Sequence, residues 1–311
     1  MADVNVAGQL DEIEKRIMAG LKDFQRATVN RIDELYRAGQ IRVLVSDEVG
    51  LGKTLIARGT IAKLAKLQKE SGDNLVKVVY VCSNASIAEQ NLNKLRITSE
   101  LKTESTSSSR LSMQHLNIFK QENDTELLNR YIQLIPLTPD TSFRMTSGAG
   151  TVSERALMYA ILRRMPELSM YRKALEVAME DYAVSAWDGW ARDWYETQVK
   201  ECDKTSGGKY LAYMLEKLSA ELSMQVDDEN TVLDMIISMC KQIKSNGYKQ
   251  QNNNAVIGKL RVIFAKISLD KLEPDLVIMD EFQRFKYLIN LDSDTETGML
   301  ANKFFNSSKV R

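Results

Sequence analysis

A glycine-rich turn between an apolar run and a helical segment constrains the fold of this chain more than any other feature. Residues 41–45 are the β-branched run IRVLV, residues 50–54 read GLGKT, and residues 55–69 have helical composition. Glycines let successive backbone N–H groups point at an anion, while lysine neutralises outer phosphates and a hydroxyl can hold magnesium. The order of strand, loop and helix therefore predicts a phosphate-binding loop at a helix N-terminus.

A second apolar run ends in two acidic residues. Residues 276–279 read LVIM and precede Asp280 and Glu281. Consecutive apolar residues are typical of a strand buried in the centre of a parallel sheet, and sites form at the carboxyl end of such sheets. In phosphate sites the first acid holds magnesium through water and the second polarises the attacking water. The alternative is that the two acids only end a surface strand.

Two further apolar runs predict more strands of the same sheet. Residues 77–82 precede a helical segment at 85–96, and residues 131–137 lead into a Thr-Pro sequence. Strands that alternate with helices predict a mostly parallel sheet in a three-layer α/β domain. A helix over residues 21–37 is expected before the loop, with Gly39 at its end.

The middle of the chain has helical rather than strand periodicity. We predict an inserted helical subdomain at residues 151–267, between a first part of the α/β lobe at 1–150 and a second part at 268–311. Within it, Trp187, Trp190 and Trp194 have helical spacing. Core packing is the favoured explanation, and a stacking surface for unpaired bases is the alternative.

Composition excludes several classes of protein. The 42 Lys and Arg balance the 42 Asp and Glu, so net charge does not indicate a polyanionic partner. Cys82, Cys202 and Cys240 are widely spaced, which argues against a disulfide framework and a zinc site, and His115 is the only histidine. No apolar run approaches the roughly 20 residues that cross a bilayer. A cytoplasmic protein without a membrane segment is expected.

Two motifs resemble those of helicase superfamily 2. Residues 47–54 read DEVGLGKT, which is the form of the loop in its Swi/Snf-like branch, and residues 280–283 read DEFQ, similar to the DExx box of its DEAD/DEAH-like helicases. The generic loop has glycine at position 47, and the resemblance accounts for Asp47. It extends loosely over residues 20–100, 134–150 and 268–305. It implies an N-terminal RecA-like lobe that binds ATP and Mg²⁺.

The resemblance also implies roles for particular residues. Catalytic roles fall to Lys53, Asp280 and Glu281, and metal binding falls to Thr54 and Asp280. The residues implied in nucleotide binding are Gln25, from a Q-motif that reads the adenine edge, and Gly50, Leu51, Gly52, Lys53, Thr54 and Leu55. The residues implied in nucleic-acid contact, from motifs Ia and Ib, are Ser83, Asn84, Thr138 and Thr141.

The implied activity is that of an ATP-driven motor on nucleic acid. Translocation on duplex DNA is favoured, and strand separation is favoured almost equally. Such motors carry an arginine finger on a second RecA-like lobe, and the chain ends before motif III, so slow hydrolysis by the isolated chain is expected. Two alternatives stay open: another P-loop ATPase of the AAA or signalling type, and a non-catalytic nucleotide-dependent module whose helical insertion binds a protein. Intact Lys53, Asp280 and Glu281 favour an enzyme.

Overall fold

Three short strands form one parallel sheet in the computed structural model, which describes residues 2–46, 50–83, 85–102, 110–143, 148–225, 230–284 and 295–305. The strands are β1 (Val76–Val81), β2 (Ile132–Leu137) and β3 (Leu276–Met279). β1 is central and pairs in parallel with β2 on one side and β3 on the other. Pro136, which has no N–H to donate, is tolerated because β2 is an edge strand.

Helices make up most of the described chain. Those up to the end of β2 and just beyond it are α1 (Ala2–Ala19), α2 (Asp23–Arg37), α3 (Lys53–Glu70), α4 (Ala85–Leu95), α5 (Gln114–Glu122), α6 (Leu127–Tyr131) and α7 (Pro139–Ser142). The later ones are α8 (Val152–Leu162), α9 (Arg172–Glu180), α10 (Val184–Ala186), α11 (Arg192–Thr205), α12 (Lys209–Leu222), α13 (Val232–Ser245), α14 (Asn254–Leu272) and α15 (Glu296–Phe305). Short 3₁₀ turns occupy Leu111–Met113, Pro166–Tyr171 and Phe282–Arg284. None of these helices has the length and apolar character needed to span a membrane.

Helices cover both faces of the sheet because successive residues of β1 point to opposite sides. Val78 and Tyr80 pack against α1, α3 and α4. Val79 and Val81 pack against α14 and α15. The predicted α/β class with a parallel sheet is therefore confirmed.

The segment from α8 to α13 has its own apolar core. Helix α14 belongs to two cores: Leu260 and Phe264 pack with the helical segment, whereas Val262 and Leu269 pack beneath the sheet. The helix also runs through the predicted domain boundary at 267/268. The division into the three predicted parts stays a prediction.

Two expectations about the sheet are wrong. Residues 41–45 form no strand in the structure: Ile41 is 51% exposed and Leu44 is 79% exposed. The predicted central strand, β3, is instead an edge strand with three half-buried residues. Strand preference reflects packing on neighbouring strands more than an intrinsic backbone tendency. Among the described residues, β3 has no neighbour on its outer side.

The tryptophan stripe divides between core and surface. Trp187 is buried, whereas Trp190 is 48% and Trp194 is 55% exposed. A π-helical turn at Trp187–Ala191 leads into α11 and changes the angular spacing that ordinary helical periodicity assumes. The prediction of core packing is therefore correct for Trp187 alone.

Candidate functional site

The loop before α3 has the backbone that its glycines predict. Gly50 has φ 90° and Gly52 has φ 81°, both in the left-handed region that favours glycine. The Gly52 carbonyl oxygen accepts hydrogen bonds from the backbone N–H groups of Leu55 and Ile56, which begin the first turn of α3. The loop therefore ends at a helix N-terminus, where free N–H groups attract anions. Asp47 lies outside the described residues.

The side chain of Gln25 connects α2 to this loop. Its Nε2 donates to the Leu51 carbonyl oxygen at 2.9 Å, and its Oε1 accepts from the backbone N–H of Lys22 at 3.0 Å. A Cβ atom on Gly52 would lie 2.6 Å from Gln25 Nε2 and would displace this amide, and the left-handed backbone at Gly52 also favours glycine. An amide side chain has a second N–H and a second acceptor position, and Gln25, which is 4% exposed, is largely closed to solvent.

Helix α3 packs on the sheet face that carries Tyr80. Its later turns lie beside the start of β2, where the Tyr131 hydroxyl donates to the Ala65 carbonyl oxygen at 2.7 Å. Lys53 lies about 18 Å back along the helix from Ala65, at 1.5 Å per residue, on the sheet face that carries Tyr80. Lys53 therefore lies at the end of α3 that is remote from the start of β2.

The Lys53 side chain is exposed and Thr54 is half-buried. Within the described part of the chain, no ion pair or hydrogen bond joins either residue to Asp280 or Glu281. The lysine charge is therefore available to an anion.

Asp280 is held by donors from two elements. The Tyr80 hydroxyl donates to Asp280 Oδ2 at 2.6 Å, and the amide of Asn91 on α4 lies 3.3 Å from the same oxygen and 2.8 Å from the Tyr80 hydroxyl. Burial raises the pKa of the Tyr80 hydroxyl, and the hydrogen bond to Asp280 raises this pKa further. The phenol therefore stays protonated and acts as the donor.

Glu281 adopts an unusual backbone conformation for a non-glycine residue, with φ 52°. Its Oε2 forms an ion pair with Arg284 Nε at 2.8 Å, and the two side chains are 43% and 60% exposed. An exposed pair of this kind contributes little to stability and exchanges readily. The carboxylate of Glu281 is therefore available to solvent and ligands.

An open cavity of about 190 Å³ lies beside the loop, lined by Arg16, Ile17, Gly20, Leu21, Leu55 and Arg58. Burial and then repulsion by Arg16 lower the pKa of Arg58. The cavity combines apolar side chains with two cationic groups.

The four residues predicted to contact nucleic acid are only partly described. Ser83 is half-buried just after β1, and Thr138 follows β2 and is 3% exposed. Val81 pairs with Leu137, so Ser83 and Thr138 follow two neighbouring strands at the same end of the sheet. Asn84 and the side chain of Thr141 lie outside the described residues. The nucleic-acid role of all four stays a prediction.

Sequence reasoning missed Tyr80 and Asn91. Tyr80 lies inside the apolar run that predicts β1, and Asn91 is one polar residue on an ordinary helix. No spacing rule connects them to Asp280, from which they are 200 and 189 residues distant in the chain. The hydroxyl group within a buried strand is the one available signal. The described residues contain no group of three or more His, Cys, Asp or Glu side chains suited to a metal ion.

Comparison with known families identifies the class of the first part of the chain. Residues 19–135, a little over a third of the chain, match the family described as type III restriction enzyme, res subunit. The match confirms the predicted resemblance of this segment to helicase superfamily 2. The match includes Gln25, the glycine loop and β1, and it ends before Asp280. No curated protein and no solved structure matched the chain.

Proposed function

We propose that this chain is the ATP-binding lobe of a superfamily 2 motor that acts on nucleic acid and hydrolyses ATP together with a second RecA-like lobe. The observation that carries the proposal is the attachment of Gln25 to the glycine loop that precedes Lys53. DNA is the favoured substrate, with translocation on the duplex preferred to strand separation. A cytoplasmic location stays part of this prediction.

The complete lobe would have the three-layer RecA-like architecture. Helices on both faces of the parallel sheet support this arrangement.

The nucleotide would be held mainly by the loop and the start of α3. Backbone N–H groups of Gly50, Leu51 and Gly52, together with the α3 N-terminus, would bind its phosphates. Lys53 would neutralise the outer phosphates. Gln25 would use its remaining N–H and acceptor position on the adenine edge, and the cavity that Leu55 lines would receive the base.

The residues fit a magnesium ion that arrives with the nucleotide. Magnesium prefers oxygen ligands, and Thr54 and Asp280 supply a hydroxyl and a carboxylate. Both described donors on Asp280 reach Oδ2, and no described residue donates to Oδ1. Bound magnesium would neutralise charge on the phosphates. Glu281 would accept a hydrogen bond from the attacking water, once Arg284 releases its carboxylate.

An arginine from a second lobe would raise turnover by about 10³- to 10⁵-fold in such enzymes.

A protein partner at the helical insertion is supported by the exposed rings of Trp190 and Trp194. A non-catalytic module and an AAA-type or signalling ATPase are the competing functions. The former would retain nucleotide without hydrolysis, and the latter would hydrolyse ATP without response to nucleic acid.

The test is nucleotide binding by the 311-residue chain, measured by titration calorimetry with Mg-ATP. Lys53→Ala should abolish binding, because the phosphates lose their cationic partner, while circular dichroism stays unchanged. Lys94→Ala removes another exposed lysine, on α4, and should bind ATP normally. Equal binding by wild type and Lys53→Ala would contradict the site. Binding of duplex DNA, single-stranded DNA and RNA then identifies the substrate, and absence of binding to all three would contradict the motor.

A further inference from the structure

The carboxylate of Asp280 is fixed from inside the sheet. Tyr80 is 3% exposed, and its ring packs in the core between β1, α3 and α4, so its hydroxyl has little freedom to move. Asn91 approaches from α4 and contacts both the hydroxyl and the carboxylate. Three polar groups from β1, α4 and the end of β3 therefore form one small network.

The two donors converge on a single oxygen. Both reach Oδ2, whereas Oδ1 receives no hydrogen bond from any residue in the described ranges. A carboxylate at the end of an edge strand would otherwise rotate about its side-chain torsions. Hydrogen bonds to a charged acceptor are about twice as strong as neutral ones, and two of them on one oxygen select one orientation.

We propose that Tyr80 and Asn91 are positioning residues that hold the Asp280 carboxylate through Oδ2 and leave Oδ1 for the water shell of nucleotide-bound magnesium. This inference rests on the proposed function, because it assigns Asp280 to the metal. Partners of this kind typically change metal affinity by about 10- to 100-fold when they are removed. Because Asp280 would act through water, we expect metal affinity to change by a factor near the lower end of this range.

The experiment compares Tyr80→Phe with Tyr131→Phe in the 311-residue chain. Both changes remove a buried tyrosine hydroxyl that donates to an oxygen, at 2.6 Å to Asp280 in one case and at 2.7 Å to Ala65 in the other. They differ in position, because Tyr131 lies at the start of β2 and far from Asp280. Loss of general stability should therefore be similar, and any difference in metal affinity reports on Asp280.

The readout is the affinity for Mn²⁺ in the presence of ATP, measured by electron paramagnetic resonance, beside ATP affinity in EDTA. Tyr80→Phe should weaken Mn²⁺ binding about tenfold and leave metal-free ATP affinity unchanged. Asn91→Ala should weaken it less, because its contact with Asp280 is longer. Tyr131→Phe should match wild type.

Unchanged Mn²⁺ affinity in Tyr80→Phe, with normal binding in wild type, would overturn this inference and leave the proposed function standing. Equal weakening in Tyr80→Phe and Tyr131→Phe would also overturn it, because the effect would then come from stability. If wild type fails to bind Mn²⁺ with ATP, the proposed function fails instead.

Discussion

The side-chain amide of Gln25 donates a hydrogen bond to the backbone carbonyl oxygen of Leu51, across 26 positions of the chain. This bond joins the first turn of α2 to the loop that precedes Lys53. We expect Gln25→Ala to weaken ATP binding about tenfold, because each lost hydrogen bond contributes about 1 kcal/mol. Affinity for GTP, which lacks the adenine edge, should fall less. Titration calorimetry with both nucleotides measures the two affinities.

Gln40→Ala is the matched control for this change. The Gln40 amide also donates to a backbone carbonyl oxygen, that of Arg42, but on an exposed segment. It should leave both affinities at the wild-type level. Equal losses for ATP and GTP in Gln25→Ala would mean that Gln25 orders the loop without reading the base.

Glu281→Gln should separate binding from turnover. The amide keeps the size of the side chain but cannot accept the proton of the attacking water, so hydrolysis should fall by about 10²- to 10⁴-fold while ATP affinity persists. Phosphate release under single-turnover conditions, with excess protein, measures the step. Arg284→Ala removes the ion partner of Glu281 and should change stability by less than about 1 kcal/mol, since the pair is exposed. Full turnover in Glu281→Gln would contradict the role of Glu281 in activating water.

The contact between α2 and α3 depends on a glycine. A Cβ atom on Gly59 would lie 2.9 Å from Val29 Cγ2, and Val29 is fully buried and cannot move aside. Gly59→Ala should therefore destabilise the chain by about 1–3 kcal/mol, the usual cost of overpacking. Gly258→Ala is the control on α14, where nothing lies within 4 Å of the added carbon, and it should gain up to about 1 kcal/mol. Urea unfolding measures both, and equal effects would contradict the proposed packing.

The buried His115 should make stability depend on pH. Burial lowers its pKa to about 3 from the ordinary 6.5, and its ring packs against Tyr210 and Phe264. Below pH 6.5 the unfolded chain binds a proton that the folded chain does not. The unfolding free energy should therefore fall as pH drops from 6.5 toward 3, by about 1.4 kcal/mol per pH unit from this group.

The comparison that isolates this effect is wild type against His115→Gln. Urea unfolding between pH 7.5 and pH 4.5 should give a shallower pH dependence for the variant, whatever its absolute stability. Other groups titrate in both proteins and cancel in the difference. Parallel curves would show that His115 is protonated equally in the folded and unfolded states.

Elements set by local patterns were predictable from the sequence. The helices α2 and α3, strand β1 and helix α4 follow from apolar periodicity and from glycines at positions that need positive φ. The loop and its tie to superfamily 2 followed from residues adjacent in the chain. The family match over residues 19–135 confirms the resemblance to helicase superfamily 2.

Features that depend on distant partners were not predictable. Residues 41–45 have strand composition, but a strand also needs a neighbour, and composition does not report which edge is paired. The π-helical turn at Trp187–Ala191 separates Trp187 from Trp190 in orientation, which ordinary helical spacing does not anticipate. The Tyr80–Asp280 hydrogen bond joins positions 200 residues apart, with no motif between them.

Helix α14 connects the helical segment to the sheet, because it packs against both. It is a rod about 28 Å long at 1.5 Å per residue, and residues that pack in the helical core, such as Leu260 and Phe264, alternate along it with residues that pack beneath the sheet, such as Val262 and Leu269. Only residues 273–275 separate it from β3, which ends at Asp280. A partner that moved the helical segment would therefore also move α14. The acidic pair that follows β3 would shift with this helix.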